Sequence, residues 1–134
     1  MARREPEWLT PAEVDAIHAL QLATNGGLPG LRDAGALGSA LGRPRHKWHY
    51  DRADLFTCAA AYGFGIAKNH AFADGNKRTA LVSMATFLER NGLRFVASEP
   101  EAVPTMLAVA DGSMKEPALA EWLRANTKRR ARRR

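Results

Sequence analysis

Asp51-Arg52-Ala53-Asp54-Leu55-Phe56-Thr57-Cys58-Ala59-Ala60-Ala61-Tyr62-Gly63-Phe64-Gly65-Ile66-Ala67-Lys68-Asn69 is the stretch that decides the fold. Leu55, Phe56, Cys58, Ala59, Ala60, Tyr62, Phe64, Ile66 and Ala67 place apolar groups on most sides of a helix. Such a helix must be enclosed by others, not laid half-exposed on a surface. Gly63 and Gly65 lower its intrinsic propensity but let neighbouring helices approach closely. Cys58 reads as a small core residue, because the sequence shows no neighbour that would activate its thiol.

Directly after it comes His70-Ala71-Phe72-Ala73-Asp74-Gly75-Asn76-Lys77-Arg78. An imidazole, a carboxylate, a carboxamide and two cations thus fall around a turn-forming Asp-Gly pair. A second amphipathic pattern begins at Asn76, with Ala80, Leu81, Met84, Phe87 and Leu88 on one face and a stop at Asn91-Gly92. A helix start offers unpaired backbone N–H groups and the positive end of a dipole to an anion. Lys77 and Arg78 in the first turn add full charges, Asp74 suits a divalent cation, and His70 at the loop entrance suits a general base. Asp74 also has a purely structural reading, as a cap for the helix that follows. Both flanking helices have broad apolar faces and are central. The charged loop is therefore expected at one end of the core, open to solvent and braced from below by Phe72.

The segments on either side supply the rest of a bundle. Thr10-Pro11-Ala12-Glu13 starts a helix with an N-cap, a proline at the first helical position and a capping box. Val14, Ile17, Leu20 and Leu22 are its expected buried stripe. Gly26-Gly27-Leu28-Pro29-Gly30-Leu31 reads as a loop, and Asp33 to Leu41 as a short helix stopped at Gly42 and Pro44. Arg45-His46-Lys47-Trp48-His49-Tyr50 reads as a surface segment with an aromatic anchor, suited to meeting a partner protein. A zinc site there is disfavoured, since no thiolate is near and only Asp51 is close. Leu93-Arg94-Phe95-Val96 is at most a short strand. Ser98 and Glu101 make a second capping box ahead of a helix ending at Asp111-Gly112, and a last helix runs from Glu116 or Pro117 to about Ala125. The expectation is an all-α, compact bundle of about six helices with at most one very short strand.

Composition limits what such a bundle can be. With 134 residues there is room for one domain, expected over residues 5–126. No apolar run approaches a membrane span, no signal peptide is evident, and the single cysteine excludes an internal disulfide, all in keeping with a cytoplasmic protein. The formal charge of +6 belongs to the end of the chain, where six of the 20 basic residues lie in the last seven positions. The remainder is balanced. Residues 127–134 are expected to be a disordered, solvated tail, with weak contact to DNA or an acidic partner as its functional alternative.

His-x-Phe-x-Asp-Gly-Asn-x-Arg, as His70, Phe72, Asp74, Gly75, Asn76 and Arg78 present it, resembles the signature of the Fic (filamentation induced by cAMP) family. In that family a histidine deprotonates a target hydroxyl that then attacks a nucleotide phosphate. Most Fic enzymes have glycine between the Asn and the Arg. Lys77 stands there in this chain, as in the Doc (death on curing) branch. Gly26 to Gly30, Ala34 to Gly42, Asp54-Leu55-Phe56, Thr79-Ala80-Leu81 and Phe87 to Gly92 also look like Doc, so the similarity runs from about Thr10 to Leu123. Ala73 and Gly75 depart from Doc sequences, Gly75 toward the general Fic pattern.

The resemblance implies catalytic roles for His70, Asp74 and Arg78, with Asp74 holding Mg²⁺ or helping to orient the target. It implies nucleotide contacts from Lys68, Phe72, Gly75, Asn76, Lys77 and Arg78. For the Doc branch, ATP lies with its γ-phosphate toward the histidine, and the product is a phosphorylated threonine on elongation factor Tu, which arrests translation. Adenylyl transfer of the wider Fic kind is the alternative, and a non-catalytic helical binding protein a more remote one. No Ser or Thr is followed four residues later by Glu, so the inhibitory helix of many Fic proteins has no counterpart here. Control in trans by an antitoxin of the Phd kind is expected instead.

Overall fold

The computed structural model describes residues 3–130. Six helices follow one another: α1 (Pro11–Asn25), α2 (Ala34–Asp51), α3 (Leu55–Asn69), α4 (Asn76–Arg90), α5 (Glu99–Asp111) and α6 (Glu116–Ala125). Two short strands complete the fold, β1 (Leu93–Phe95) and β2 (Thr127–Arg129). The all-α expectation holds. None of the helices is long and apolar enough to cross a membrane.

α3 is the centre. Every residue from Cys58 to Gly63 and from Gly65 to Ala67 is buried, and α3 packs against α2, α4, α5 and α6. Its glycines set the two closest seams. A methyl at Gly63 would sit 2.2 Å from Met84 Sδ on α4, and one at Gly65 would sit 3.1 Å from the Ala40 backbone on α2. Burial pushes the Cys58 thiol up to about 12, with Asp54 adding to the effect, so the core reading of this cysteine stands. The capping boxes at Thr10/Glu13 and Ser98/Glu101 both form. α1 and α4 are also tied at their far ends by the Glu13–Arg90 ion pair.

Three sequence expectations need correction. α2 does not stop at Gly42 and Pro44 but continues to Asp51, taking in Arg45–Tyr50. Pro44 is buried and its carbonyl lies 3.7 Å from Cys58 Sγ, so packing on α3 outweighs the local cost of a proline. Trp48 is consequently an internal anchor. It meets Trp8 edge-on at 6.4 Å and lies under the Arg3 guanidinium at 4.5 Å. The domain also does not end at residue 126. Thr127, Lys128 and Arg129 pair antiparallel with Phe95, Arg94 and Leu93, giving two short strands where at most one was expected. The rest of the expected tail, 131–134, lies outside the described residues.

In α1 the buried positions are Val14 and His18, while Leu20 is 62% exposed. The stripe runs 14, 18, 22 at i+4 spacing, and Leu20, two residues or roughly 200° from both 18 and 22, falls on the opposite side of the helix.

Candidate active site

The loop between α3 and α4 is built mainly from backbone contacts. α3 ends at His70, which takes the left-handed conformation at φ 50° and ψ 48°. A non-glycine residue there is uncommon, and histidine is among the types that tolerate it. The turn leaves the His70 side chain exposed at the rim, without a hydrogen-bond partner among the described residues. Ala71 and Phe72 then pass under the surface, both buried. The Ala71 carbonyl accepts from Arg32 N–H at 2.7 Å and Asp33 N–H at 2.9 Å, and Ala73 N–H donates to Gly30 O at 3.1 Å. An isolated bridge between Leu31 and Phe72 completes this zipper. The α1–α2 connector is thus one wall of the site.

Asp74 lies where that wall and the loop meet. Its Oδ1 accepts from Gly75 N–H at 2.8 Å and its Oδ2 from Leu28 N–H at 3.2 Å. A methyl at Gly27 would come within 2.9 Å of Oδ2, so the glycine is what lets the connector reach the carboxylate. Asp74 is therefore not the N-cap of α4. That position is Gly75, at φ 78° and with no side-chain cap. The first helical bond runs from Thr79 N–H to Gly75 O at 3.0 Å, which leaves the N–H groups of Asn76, Lys77 and Arg78 without intrahelical partners.

The motif residues divide by what their side chains do. Phe72, expected among the nucleotide contacts, is 1% exposed, so its ring is a brace and does not reach the surface. The Asn76 carboxamide is engaged with the Phe72 backbone, accepting from its N–H at 3.1 Å and donating to its C=O at 3.0 Å. What Asn76 offers an anion is its backbone N–H. Lys77 and Arg78 are exposed. Arg78 donates to Asn25 Oδ1 at 3.1 Å and to Glu99 Oε1 at 3.0 Å. Lys68 does not join them. Its ammonium is 3.7 Å from where a methyl on Gly112 would stand, at the C-terminal end of α5, where it lowers the Asp111 carboxyl as a minor contributor.

Four contributors were not singled out from the sequence: His18, Asn25, Gly27 and Leu28. The available signal was the Gly26–Gly30 cluster, two glycines ahead of a Pro-Gly pair, in a loop that has to approach something closely. A groove of about 240 Å³ opens beside the first turn of α4, lined by Lys77, Arg78, Leu81, Glu99, Val103, Met106 and Leu107. Its floor is apolar and its rim charged. No group of three or more His, Cys, Asp or Glu is placed to hold a metal among the described residues.

The class of protein to which this loop belongs comes from comparison of the sequence with known families. The sequence profile of the Fic/DOC family matches residues 8–88, and the chain belongs to that family. Within it, the chain is 37% identical over 117 residues to the protein kinase Doc of Escherichia phage P1, covering 87% of this chain and 92% of that protein. It is 40% identical over 87 residues to the toxin Doc of Mycolicibacterium smegmatis, covering 62% of this chain and 65% of that one.

Proposed function

We propose that this chain is the toxin of a toxin–antitoxin pair and transfers the γ-phosphate of ATP to a hydroxyl on a protein, with elongation factor Tu as the expected target. The observation that carries the reading is the start of α4. Three unpartnered N–H groups and the side chains of Lys77 and Arg78 converge within one turn, six residues beyond an exposed histidine. That is a site for a transferring phosphoryl group, whose charge in a loose transition state is spread over its oxygens. The names of the two Doc relatives, a kinase and a toxin, support the same direction.

In this reading His70 takes the proton of the attacking hydroxyl. The hydroxyl oxygen bonds to the γ-phosphorus as the bond from that phosphorus to the β–γ bridging oxygen breaks, and ADP leaves. Asn76 contributes its backbone N–H, while Lys77 and Arg78 contribute both N–H and side-chain charge. Asp74 is the residue that would hold Mg²⁺, whose chemistry is to neutralise phosphate oxygens. With both carboxylate oxygens already accepting an N–H, Asp74 is a fixed ligand and not a mobile one. Phosphate oxygens and water would complete the coordination shell of a hard cation. Regulation fits a Phd-type antitoxin acting in trans. Val103 is 42% and Leu107 50% exposed on the wall of the α4–α5 groove, apolar surface suited to an amphipathic segment that folds on binding.

The test uses purified protein, Mg²⁺ and elongation factor Tu, with ATP labelled separately at the γ or the α phosphate. Label from the γ position, lost in His70→Ala, is the expected result. Label from the α position means adenylyl transfer and overturns the direction proposed here. Transfer from neither sinks this target.

A further inference from the structure

We propose that His18, which lies outside the motif, is a positioning residue of this site: it fixes the Asp74–Gly75 peptide and so aims the first turn of α4. The proposal rests on the transferase reading above. His18 is 5% exposed in the middle of α1, on the same face as Val14. A polar side chain in such a place needs a partner, and His18 has one. Its Nε2 lies 2.8 Å from the Asp74 carbonyl oxygen. A carbonyl only accepts, so Nε2 carries the proton and donates. The same ring is stacked on Phe72, with centroids 3.9 Å apart and planes 11° from parallel.

These two contacts meet opposite ends of the loop. The Asp74 carbonyl and the Gly75 N–H belong to a single peptide unit, and that unit is held on both edges. His18 donates to its oxygen, and Asp74 Oδ1 accepts from its nitrogen at 2.8 Å. The orientation of this peptide sets the left-handed Gly75, from which the three anion-facing N–H groups are launched. A ring of similar shape could supply the stack alone. Only a donor can supply the bond to Asp74.

His18→Phe keeps a ring against Phe72 and removes the donor. His18→Gln returns a donor without the ring. Both are made in the full chain and measured for thermal stability, for amide exchange at Gly75 and for label transfer from ATP. For His18→Phe the expected result is a melting temperature within a few degrees of wild type and faster exchange at Gly75. Its kcat should be lower by about 10-fold or more, with KM for the protein target unchanged, since small misplacements at a reacting centre have large effects. His18→Gln should recover part of that kcat, which a purely structural role would not predict. Wild-type kcat together with unchanged Gly75 exchange in His18→Phe overturns the proposal. Should the wild-type protein transfer no label, the transferase reading fails by itself. Exchange at Gly75 then decides alone whether His18 holds the peptide.

Discussion

Gly27 offers the sharpest test of how the site is held. At φ 124° its backbone lies where side chains are strained, and a methyl there would stand 2.9 Å from Asp74 Oδ2, 3.1 Å from Leu22 Cδ2 and 3.3 Å from Asp74 Cγ. Optimal carbon contacts begin near 3.5 Å, so Gly27→Ala has to displace something by about 0.5 Å. Asp74 has little room to yield, being held by Leu28 N–H and Gly75 N–H. The backbone conformation costs about 1–3 kcal/mol, and loss of the Leu28 bond adds about 1. For a chain of this size that total lowers the melting temperature by roughly 5–15 °C. Gly26→Ala is the control. It lies at φ 77° with nothing within 4 Å of the added methyl, so it carries backbone strain without touching Asp74. Both variants should melt early. Only Gly27→Ala should also lose label transfer, by about 10- to 100-fold, from whichever phosphate the wild-type protein uses. Equal losses in the two variants, or full activity in Gly27→Ala, would refute the idea that the connector positions the carboxylate.

Other outcomes follow from the same structure. Asn76→Ala strips partners from both backbone groups of Phe72 and should cost about 1–3 kcal/mol in chemical denaturation, with faster amide exchange at Phe72. With its thiol pushed up to about 12 by burial, Cys58 should resist a maleimide at pH 7.5 in the native protein and react once urea unfolds it. The Arg90 hydrogen bond, helped by the Thr10 N–H, draws the Glu13 carboxyl down to about 2 from 4.5. Its contribution is therefore complete above about pH 4.5 and disappears as pH falls through about 2. Because the pair is half-exposed, that contribution should be about 0.5–1 kcal/mol, read as the difference between wild type and Glu13→Gln in urea melts across that range.

The parts of the fold legible in the sequence are those with short-range causes. Thr10-Pro11 and Ser98 announce their helices by capping chemistry, and the apolar run of α3 announces burial on every side. α2 runs on past Gly42 and Pro44, which act locally as breakers, because Pro44 is buried in the extended seam with α3. β2 was hidden for the opposite reason. Two of its three residues, Lys128 and Arg129, are basic and belong by type to the charged end of the chain, and pairing with Leu93–Phe95 depends on a partner more than thirty positions earlier. In the site, chemical type was legible and division of labour was not. Asn76 looks like a phosphate ligand by type, yet its amide is occupied by Phe72. His18 is not evident because Ile17 and Leu20 suggest a stripe centred on another side of the helix, whereas Leu20 is exposed.

Arg78 shows how this division bears on control. It is held, but weakly. Its partners Asn25 and Glu99 lie at the surface, with the Arg78 side chain 48% and the Glu99 side chain 67% exposed. Exposed ion pairs of this kind are worth about 0–1 kcal/mol. Charge-assisted bonds from a guanidinium to a multiply charged phosphate, reinforced by the end of a helix dipole, are stronger. A nucleotide phosphate would therefore draw Arg78 away from Glu99 at little cost. The contact parks the arginine near the site without locking it. No segment of the sequence carries the inhibitory Ser/Thr-x-x-x-Glu pattern that would provide a lock. The exposed apolar groove beside Arg78 is the surface on which the antitoxin proposed above would act on this arginine.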